Sequence, residues 1–222
     1  MKLFLDSANL VEIEACLKRG ILQGITTNPS LLSKEPKADF IEHIRKIVAL
    51  CEKYNQIISL SVEVFTRKPS EMVKQALQFI EAVPYKNLAI KIPMGWDELE
   101  AVHTLALKGI SVNCTCLFTE AQCVLAANAG ARYVSIFMAR LKDISGDAPA
   151  VISNTRRILD LAKSQAEIIV GSIRHERDIV DAQIAGAHIV TAGAAYLTKM
   201  TSHPQTTKSV EGFLKDFEAW LK

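Results

Sequence analysis

The sequence predicts an α/β chain folded as a closed (β/α)8 barrel, and three observations predict it. Eight short strand-like runs alternate with helical patterns, no long linker or low-complexity segment interrupts them, and neither a G-x-G-x-x-G nor a Walker loop favours an open doubly wound sheet. With 222 residues, 49% of them hydrophobic, the chain can bury a sizeable core, so residues 1–222 are expected to form a single barrel domain.

Strands are expected near residues 2–6, 23–26, 57–64, 88–92, 111–115, 133–138, 167–173 and 188–192. Each is short, rich in β-branched or aliphatic residues, and bounded by turn formers. Between them, "LVEIEACLKRG", "FIEHIRKIVALCEKY" and "SEMVKQALQFIEAV" repeat apolar residues every three or four positions, the period of an amphipathic helix. After the eighth unit, residues 207–222 carry Val210, Phe213, Leu214, Phe217, Trp220 and Leu221 on one helical stripe, which predicts an additional C-terminal helix. That helix can dock on its own barrel or on a neighbouring subunit, and the sequence leaves both open.

Composition narrows the function. The net charge is +2 with scattered basic residues, so no nucleic-acid footprint is expected and an anionic partner should be small and locally bound. Five cysteines, Cys16, Cys51, Cys114, Cys116 and Cys123, sit in apolar patterns and read as reduced core residues of a cytoplasmic protein. The start "MKLFLDSAN" meets Asp6 after three apolar residues, unlike a signal peptide, and no uncharged run approaches the roughly 18 residues of a membrane helix. The five histidines lack H-x-H or H-E-x-x-H spacing, so no metal site is expected.

In "NLAIKIPM", Leu88, Ile90 and Ile92 share one face and Lys91 points to the other. On an edge strand such a lysine is simply solvated, but a closed barrel has no edge. The same parity turns Ser59, Ser61 and Glu63 inward on the third strand and Asn113 and Thr115 on the fifth, with Cys114 and Cys116 toward the helices. On the sixth, Ser135 and Phe137 share one face. Polar groups therefore collect at the strand C-terminal ends, where barrels of this kind carry their chemistry. An amine attacks a carbonyl only when neutral. Apolar walls and a nearby cation such as Arg140 or Arg174 favour that state, and contact with Glu63 opposes it. A buried Lys91–Glu63 ion pair is the competing reading.

Glu63 beside Thr115 suits proton transfer through a bound water. Asp6 closes the first strand, where it either caps the next helix or, if Ser7 or Asn9 caps instead, is left for proton transfer. Asn28, before Pro29 in "GITTNPSLL", is either a helix cap or a site residue. Arg140 follows the sixth strand; Ser172 and Arg174 follow the seventh on one parity. Two guanidiniums and a hydroxyl on adjacent loops suit a terminal phosphate, although each arginine alone reads as a surface residue.

In order and over almost the whole chain, "FLDSAN", "GITTNPSLL", "LAIKIPM", "GISVNCTCLF", "SIFMAR" and "GSIR" resemble the transaldolase family, in its compact transaldolase and fructose-6-phosphate aldolase-like branch. The resemblance implies a TIM-barrel enzyme of the non-oxidative pentose phosphate pathway. It would move a dihydroxyacetone unit from sedoheptulose 7-phosphate or fructose 6-phosphate to an aldose phosphate through a lysine Schiff base, without a metal or organic cofactor. By motif, Lys91 matches the Schiff-base lysine and Asp6 the carboxylate serving the C4 hydroxyl, while Glu63 and Thr115 match the holders of the catalytic water. Asn28 and Asn113 match residues bonding the dihydroxyacetone part; Arg140, Ser172 and Arg174 match the phosphate site; Ser135 and Phe137 line the pocket. The partners implied are sugar phosphates and further copies of the chain, the short branch being known for ring-shaped decamers.

Two departures stand out. Ile136 and Ala139 replace a proline and a glycine common in "SIFMAR", and Ala192-Gly193 replaces an apolar-proline pair. In the aldolase-like members a tyrosine and a glutamine stand where this chain has Phe137 and Glu63. The rival functions are therefore a fructose-6-phosphate aldolase that releases free dihydroxyacetone and a barrel that binds sugar phosphates without turnover.

Overall fold

A computed structural model describes residues 2–54 and 57–221. Eight parallel strands form a closed barrel in sequence order: β1 (Lys2–Asp6), β2 (Gly24–Thr26), β3 (Ser59–Glu63), β4 (Leu88–Pro93), β5 (Ser111–Leu117), β6 (Tyr133–Phe137), β7 (Glu167–Gly171) and β8 (Ile189–Ala192). Pairing of β1 with β8, from Lys2 against Ile189 to Leu5 against Ala192, closes the ring. The fold is a (β/α)8 TIM barrel, as the alternation predicts. The expected 57–64 strand is shorter, and the fifth runs on to Leu117.

Helices α1 (Leu10–Leu17), α3 (Phe40–Lys53), α4 (Pro69–Ala82), α5 (Glu98–Leu107), α6 (Glu120–Asn128), α8 (Ala148–Leu161) and α9 (Glu176–Ile184) form the outer layer. Two further short helices, α2 (Pro29–Leu32) and α7 (Met138–Asp143), follow β2 and β6 directly; α10 (Ala194–Lys199) and α11 (Pro204–Trp220) follow β8. Periodicity places the buried faces. In α4, Met72, Ala76 and Phe79 recur at four and three residues and meet the outward residues of the sheet. Leu60 and Val62 of β3 and Leu88, Ile90 and Ile92 of β4 are 4% exposed or less in that same core, as strand parity requires.

Inside the barrel a second, small apolar cluster plugs the N-terminal end: Phe4, Ile169 and Ile189, with Tyr133 packed against them edge-to-face on Phe4. The plug explains a glycine. A Cβ on Gly24 would lie 2.4 Å from the ring atoms of Phe4, so the register that pairs Gly24 with Phe4 lets the ring occupy the barrel axis. At that level Ser59, paired in register with Gly24, lies 3.4 Å from the Tyr133 hydroxyl, and the charged inward side chains of Asp6, Glu63 and Lys91 stand in the layers above.

The final helix departs from every other element. Every residue from Thr201 to Leu221 is exposed, including Val210, Phe213, Leu214, Phe217, Trp220 and Leu221 at 52–77%. The apolar stripe read from the sequence is real, but it is not laid on its own barrel. The last residue of the expected 207–222 helix lies outside the described residues.

Gly24→Ala should destabilise the fold by about 1–3 kcal/mol through overpacking against Phe4. Urea unfolding measures it, and Phe4→Leu in the same chain should recover part of the loss. An unchanged midpoint in the single variant would show that the plug has slack.

Candidate active site

Lys91 stands inside the barrel, 5% exposed, with its Cα in register between Glu63 and Asn113. Its ammonium donates to Glu63 Oε2 at 2.9 Å and to the Thr27 carbonyl at 2.9 Å, leaving one of its three N–H groups for the cavity. The ion pair weighed from the sequence is therefore present. With side chains 6% and 17% exposed, it lies in a setting where losing either partner strands a charge.

The carbonyl that holds Lys91 is aimed by the "TTNPS" run. Thr27 donates its amide and its hydroxyl to the Ser61 carbonyl, both at 3.0 Å, pinning the chain after β2 to β3. Asn28 is extended (φ −156°, ψ 164°), as a residue before proline prefers, and Pro29 opens α2 at the position where its missing N–H costs nothing. Asn28 Oδ1 accepts from Leu31 N at 3.0 Å, so it caps the helix and lines the cavity at once.

Asp6 is free of capping duty. Asn9 caps α1, accepting from the amides of Val11 and Glu12, while Ser7 bonds Glu12 and the Asn9 amide. Asp6 Oδ1 instead accepts from Thr26 Oγ1 at 2.7 Å. Desolvation pushes the Asp6 carboxyl above its usual range, opposed by the Thr26 bond and the Lys91 charge. Asn113 is fixed in both senses: its Nδ2 donates to Ser61 Oγ at 3.2 Å, and its Oδ1 accepts from Ser135 Oγ at 2.7 Å. The Thr115 hydroxyl is buried without a protein hydrogen bond of regular geometry, although the Cys116 thiol lies close to it.

Asp6, Asn28, Lys91, Asn113, Thr115, Ser135, Phe137, Arg140 and Ser172 line one cavity of about 100 Å³ at the strand C-terminal ends. Its size is well below the roughly 300–1,000 Å³ of sites for drug-sized molecules and suits a short polyol unit. Arg140 lies over the Phe137 ring at 5.0 Å, and Phe137 meets Phe118 edge-on at 6.0 Å, so the rim is an aromatic surface carrying a cation. Ala139, where a glycine was expected, is an ordinary helical residue of α7, and its amide bonds the Ser172 carbonyl at 3.0 Å. No glycine freedom is needed there.

Two parity expectations fail, each at a left-handed residue. Cys116 (φ 62°) breaks the register of β5 against β6. Leu117 consequently joins the helical core, while Cys116 turns toward the charges of Glu63, Lys91 and Arg140 instead of the helices. Burial pushes its thiol up, keeping it protonated. Ser172 (φ 57°) ends the alternation of β7, so Arg174 does not follow it into the cavity. Arg174 instead grips Asp143 at the end of α7 through two 2.8 Å bonds, its side chain 56% exposed. The loop itself is anchored by Asp178. Against the cost of partial burial, Lys142 at 2.7 Å and the amides of Arg174 and His175 hold that carboxyl below its usual range.

Thr26, Gly171 and Thr191 also line the cavity, and the sequence reading passed over them. Inward parity on β2 and β8 was the available signal. Among the described residues no three His, Cys, Asp or Glu side chains are grouped to hold a metal, and no helix is long and apolar enough to cross a membrane.

Comparison with known proteins gives a consistent result. The family model "Transaldolase/Fructose-6-phosphate aldolase" matches residues 3–221. "Probable transaldolase 2" of Listeria monocytogenes is 41% identical over 220 residues, covering 99% of this chain and 97% of its own. "Probable transaldolase" of Symbiobacterium thermophilum is 41% identical over 99% and 98%, and that of Alkaliphilus metalliredigens 40% over the full length of both. A thiamine phosphate pyrophosphorylase from Pyrococcus furiosus superposes with TM-score 0.62 over 87% of this chain and 86% of its own at 10% identity, a likeness of fold alone.

The desolvated Asp6 predicts a pH-dependent stability difference. Its native pKa is raised, so its favourable contribution is complete below 3.8, the ordinary value, and is lost as pH rises through the native value. Asp6→Asn should therefore unfold at a higher temperature than the parent at pH 7, and the gap should close as pH falls toward 3.8. Parallel thermal melts across that range would contradict the burial argument if the gap stayed constant.

Proposed function

The chain belongs to the transaldolase/fructose-6-phosphate aldolase family, and on that footing we propose that it is a Schiff-base transaldolase of the non-oxidative pentose phosphate pathway. The observation that carries the proposal is a barrel lysine held between a glutamate and a carbonyl, facing a second, desolvated carboxyl across a cavity of about 100 Å³.

The C2 carbonyl of fructose 6-phosphate or sedoheptulose 7-phosphate enters beside Lys91. Glu63, 2.9 Å from the ammonium, takes its proton, and the neutral amine adds to the carbonyl carbon. Loss of water from the adduct gives the imine. The Thr115 hydroxyl, buried without a regular protein bond, holds the water through which Glu63 returns the proton to the leaving hydroxyl. Asp6 then removes the C4 hydroxyl proton. The C3–C4 electron pair moves to the iminium as an enamine, and the aldose phosphate departs. The retained dihydroxyacetone unit is bonded by Asn113 and Asn28 and attacks the carbonyl of an acceptor aldose phosphate, with Asp6 giving the proton back. Arg140 and Ser172 at the rim receive the phosphate, and Arg174 joins them by releasing Asp143.

Phe137 favours transfer over simple aldol cleavage. Its ring is packed on Phe118 and covered by Arg140, and it offers no hydroxyl to orient a water for hydrolysis of the bound unit. The unit therefore waits for its acceptor. Five free cysteines, four of them buried, fit a cytoplasmic setting. The exposed stripe of α11 belongs to an assembly: six apolar side chains, each more than half exposed, require a cover, and a second copy supplies it.

Borohydride added with fructose 6-phosphate should fix an adduct on Lys91, located by peptide mass spectrometry, and Lys91→Met should lose adduct and activity together. With erythrose 4-phosphate as acceptor the protein should form sedoheptulose 7-phosphate, and it should release little dihydroxyacetone without one. Adduct on another lysine refutes the mechanism; rapid cleavage without acceptor makes the protein an aldolase.

Light scattering after size exclusion should report a mass several times 24.5 kDa. Phe213→Asp with Trp220→Asp should reduce it. A parent protein that elutes as a monomer would refute the covering role of a second copy.

A further inference from the structure

Thr191 has no part in the steps above, yet its surroundings are as constrained as those of any group in the cavity. It is 5% exposed on β8, one strand from Asp6. Its Oγ1 lies 2.6 Å from Thr26 Oγ1, which in turn donates to Asp6 Oδ1 at 2.7 Å. Thr26 is 2% exposed. Three side chains from β8, β2 and β1 thus form a short chain of oxygens ending on the carboxyl.

The direction of that chain follows from proton counting. A hydroxyl has one hydrogen and two lone pairs. Thr26 gives its hydrogen to Asp6, so the 2.6 Å contact is a hydrogen bond only if Thr191 is the donor. The other side of Thr191 is fixed independently. Its methyl faces Gly171, where an added Cβ would come within 3.2 Å, so the glycine opens the space the methyl occupies. The Asp6 Oδ2 atom, by contrast, receives no hydrogen bond from any described residue.

We infer that Thr191 is a positioning residue for Asp6: acting through Thr26, it keeps Oδ1 an acceptor, so that Asp6 takes and returns the C4 hydroxyl proton at Oδ2. The inference rests on the role proposed for Asp6. Each hydroxyl in a chain polarises the next, so donation from Thr191 strengthens the bond from Thr26 and favours the ionised carboxylate. The charged groups that also act on Asp6 are Lys91 from β4, Glu63 from β3 and Lys34 beyond α2. They are the same in every variant below.

Thr191→Val keeps the shape of the side chain and removes its hydroxyl. Its kcat should fall about three- to tenfold with KM little changed, and the acid limb of kcat against pH should move upward by about 0.3–0.5 unit. Thr191→Ser should restore both. Borohydride trapping at Lys91 should be unaffected, since imine formation does not use Asp6. A lower kcat with an unmoved acid limb would reduce Thr191 to a packing role and overturn the inference, as would a parental kcat. Should valine prevent folding, Thr191→Ala is read by the same two measures. An active Asp6→Asn enzyme would instead overturn the role of Asp6 itself, so the two failures are distinguishable.

Discussion

The Lys91–Glu63 pair is the interaction around which the barrel interior is arranged. Two opposite charges 2.9 Å apart, one 6% and the other 17% exposed, attract strongly but have surrendered much of their hydration. Such a pair persists only where the remaining donors and acceptors are matched. The Thr27 carbonyl takes a second hydrogen from the ammonium, and Thr27 is itself held by two bonds to Ser61. Ser61 accepts from Asn113, which accepts from Ser135. Thr27, Ser61, Glu63, Lys91, Asn113 and Ser135 thus form one connected arrangement, and the lysine is its most demanding member.

Much of this was legible in the sequence, for a reason that also explains the failures. Strand parity is a property of extended backbone. It placed Lys91, Glu63, Asn113, Thr115 and Ser135 in the barrel, and the structure finds them there. It failed past Thr115 and past Gly171, where Cys116 and Ser172 adopt left-handed conformations that reset the alternation. Neither is a glycine, so no residue type announced the break. Arg174 stands outside the cavity for a second reason: its bidentate partner, Asp143, lies 31 residues away, and pattern reading has no access to such a contact. Thr26 and Thr191 were within reach of parity and went unused because a lone threonine on a strand carries no chemical flag. The stripe on α11 was plain, but a stripe says only that a cover is needed.

Fold and chemistry separate cleanly here. A barrel superposing with TM-score 0.62 shares 10% of its sequence with this chain, whereas relatives near 40% identity extend over its whole length. The eight-stranded frame supplies a rim of strand ends and little else that is specific. In the proposed mechanism the chemistry is carried by few positions: an amine on β4, a carboxyl on β1, another on β3, and the loops that set cations over them.

The apolar plug at the base has a consequence for traffic. Phe4, Ile169 and Ile189, each 1% exposed or less, close the barrel beneath the polar layers, so among the described residues the chamber has a floor and its mouth lies at the strand C-terminal ends. A blind chamber of about 100 Å³ cannot pass one molecule in while another goes out. Whatever leaves must leave before its successor arrives, and the order of events is imposed by the architecture before any affinity is considered. In the transfer proposed above, donor and acceptor share that mouth, and at high concentration each would inhibit the other by occupying the form of the chamber meant for its rival. In this barrel the queue is a property of the floor.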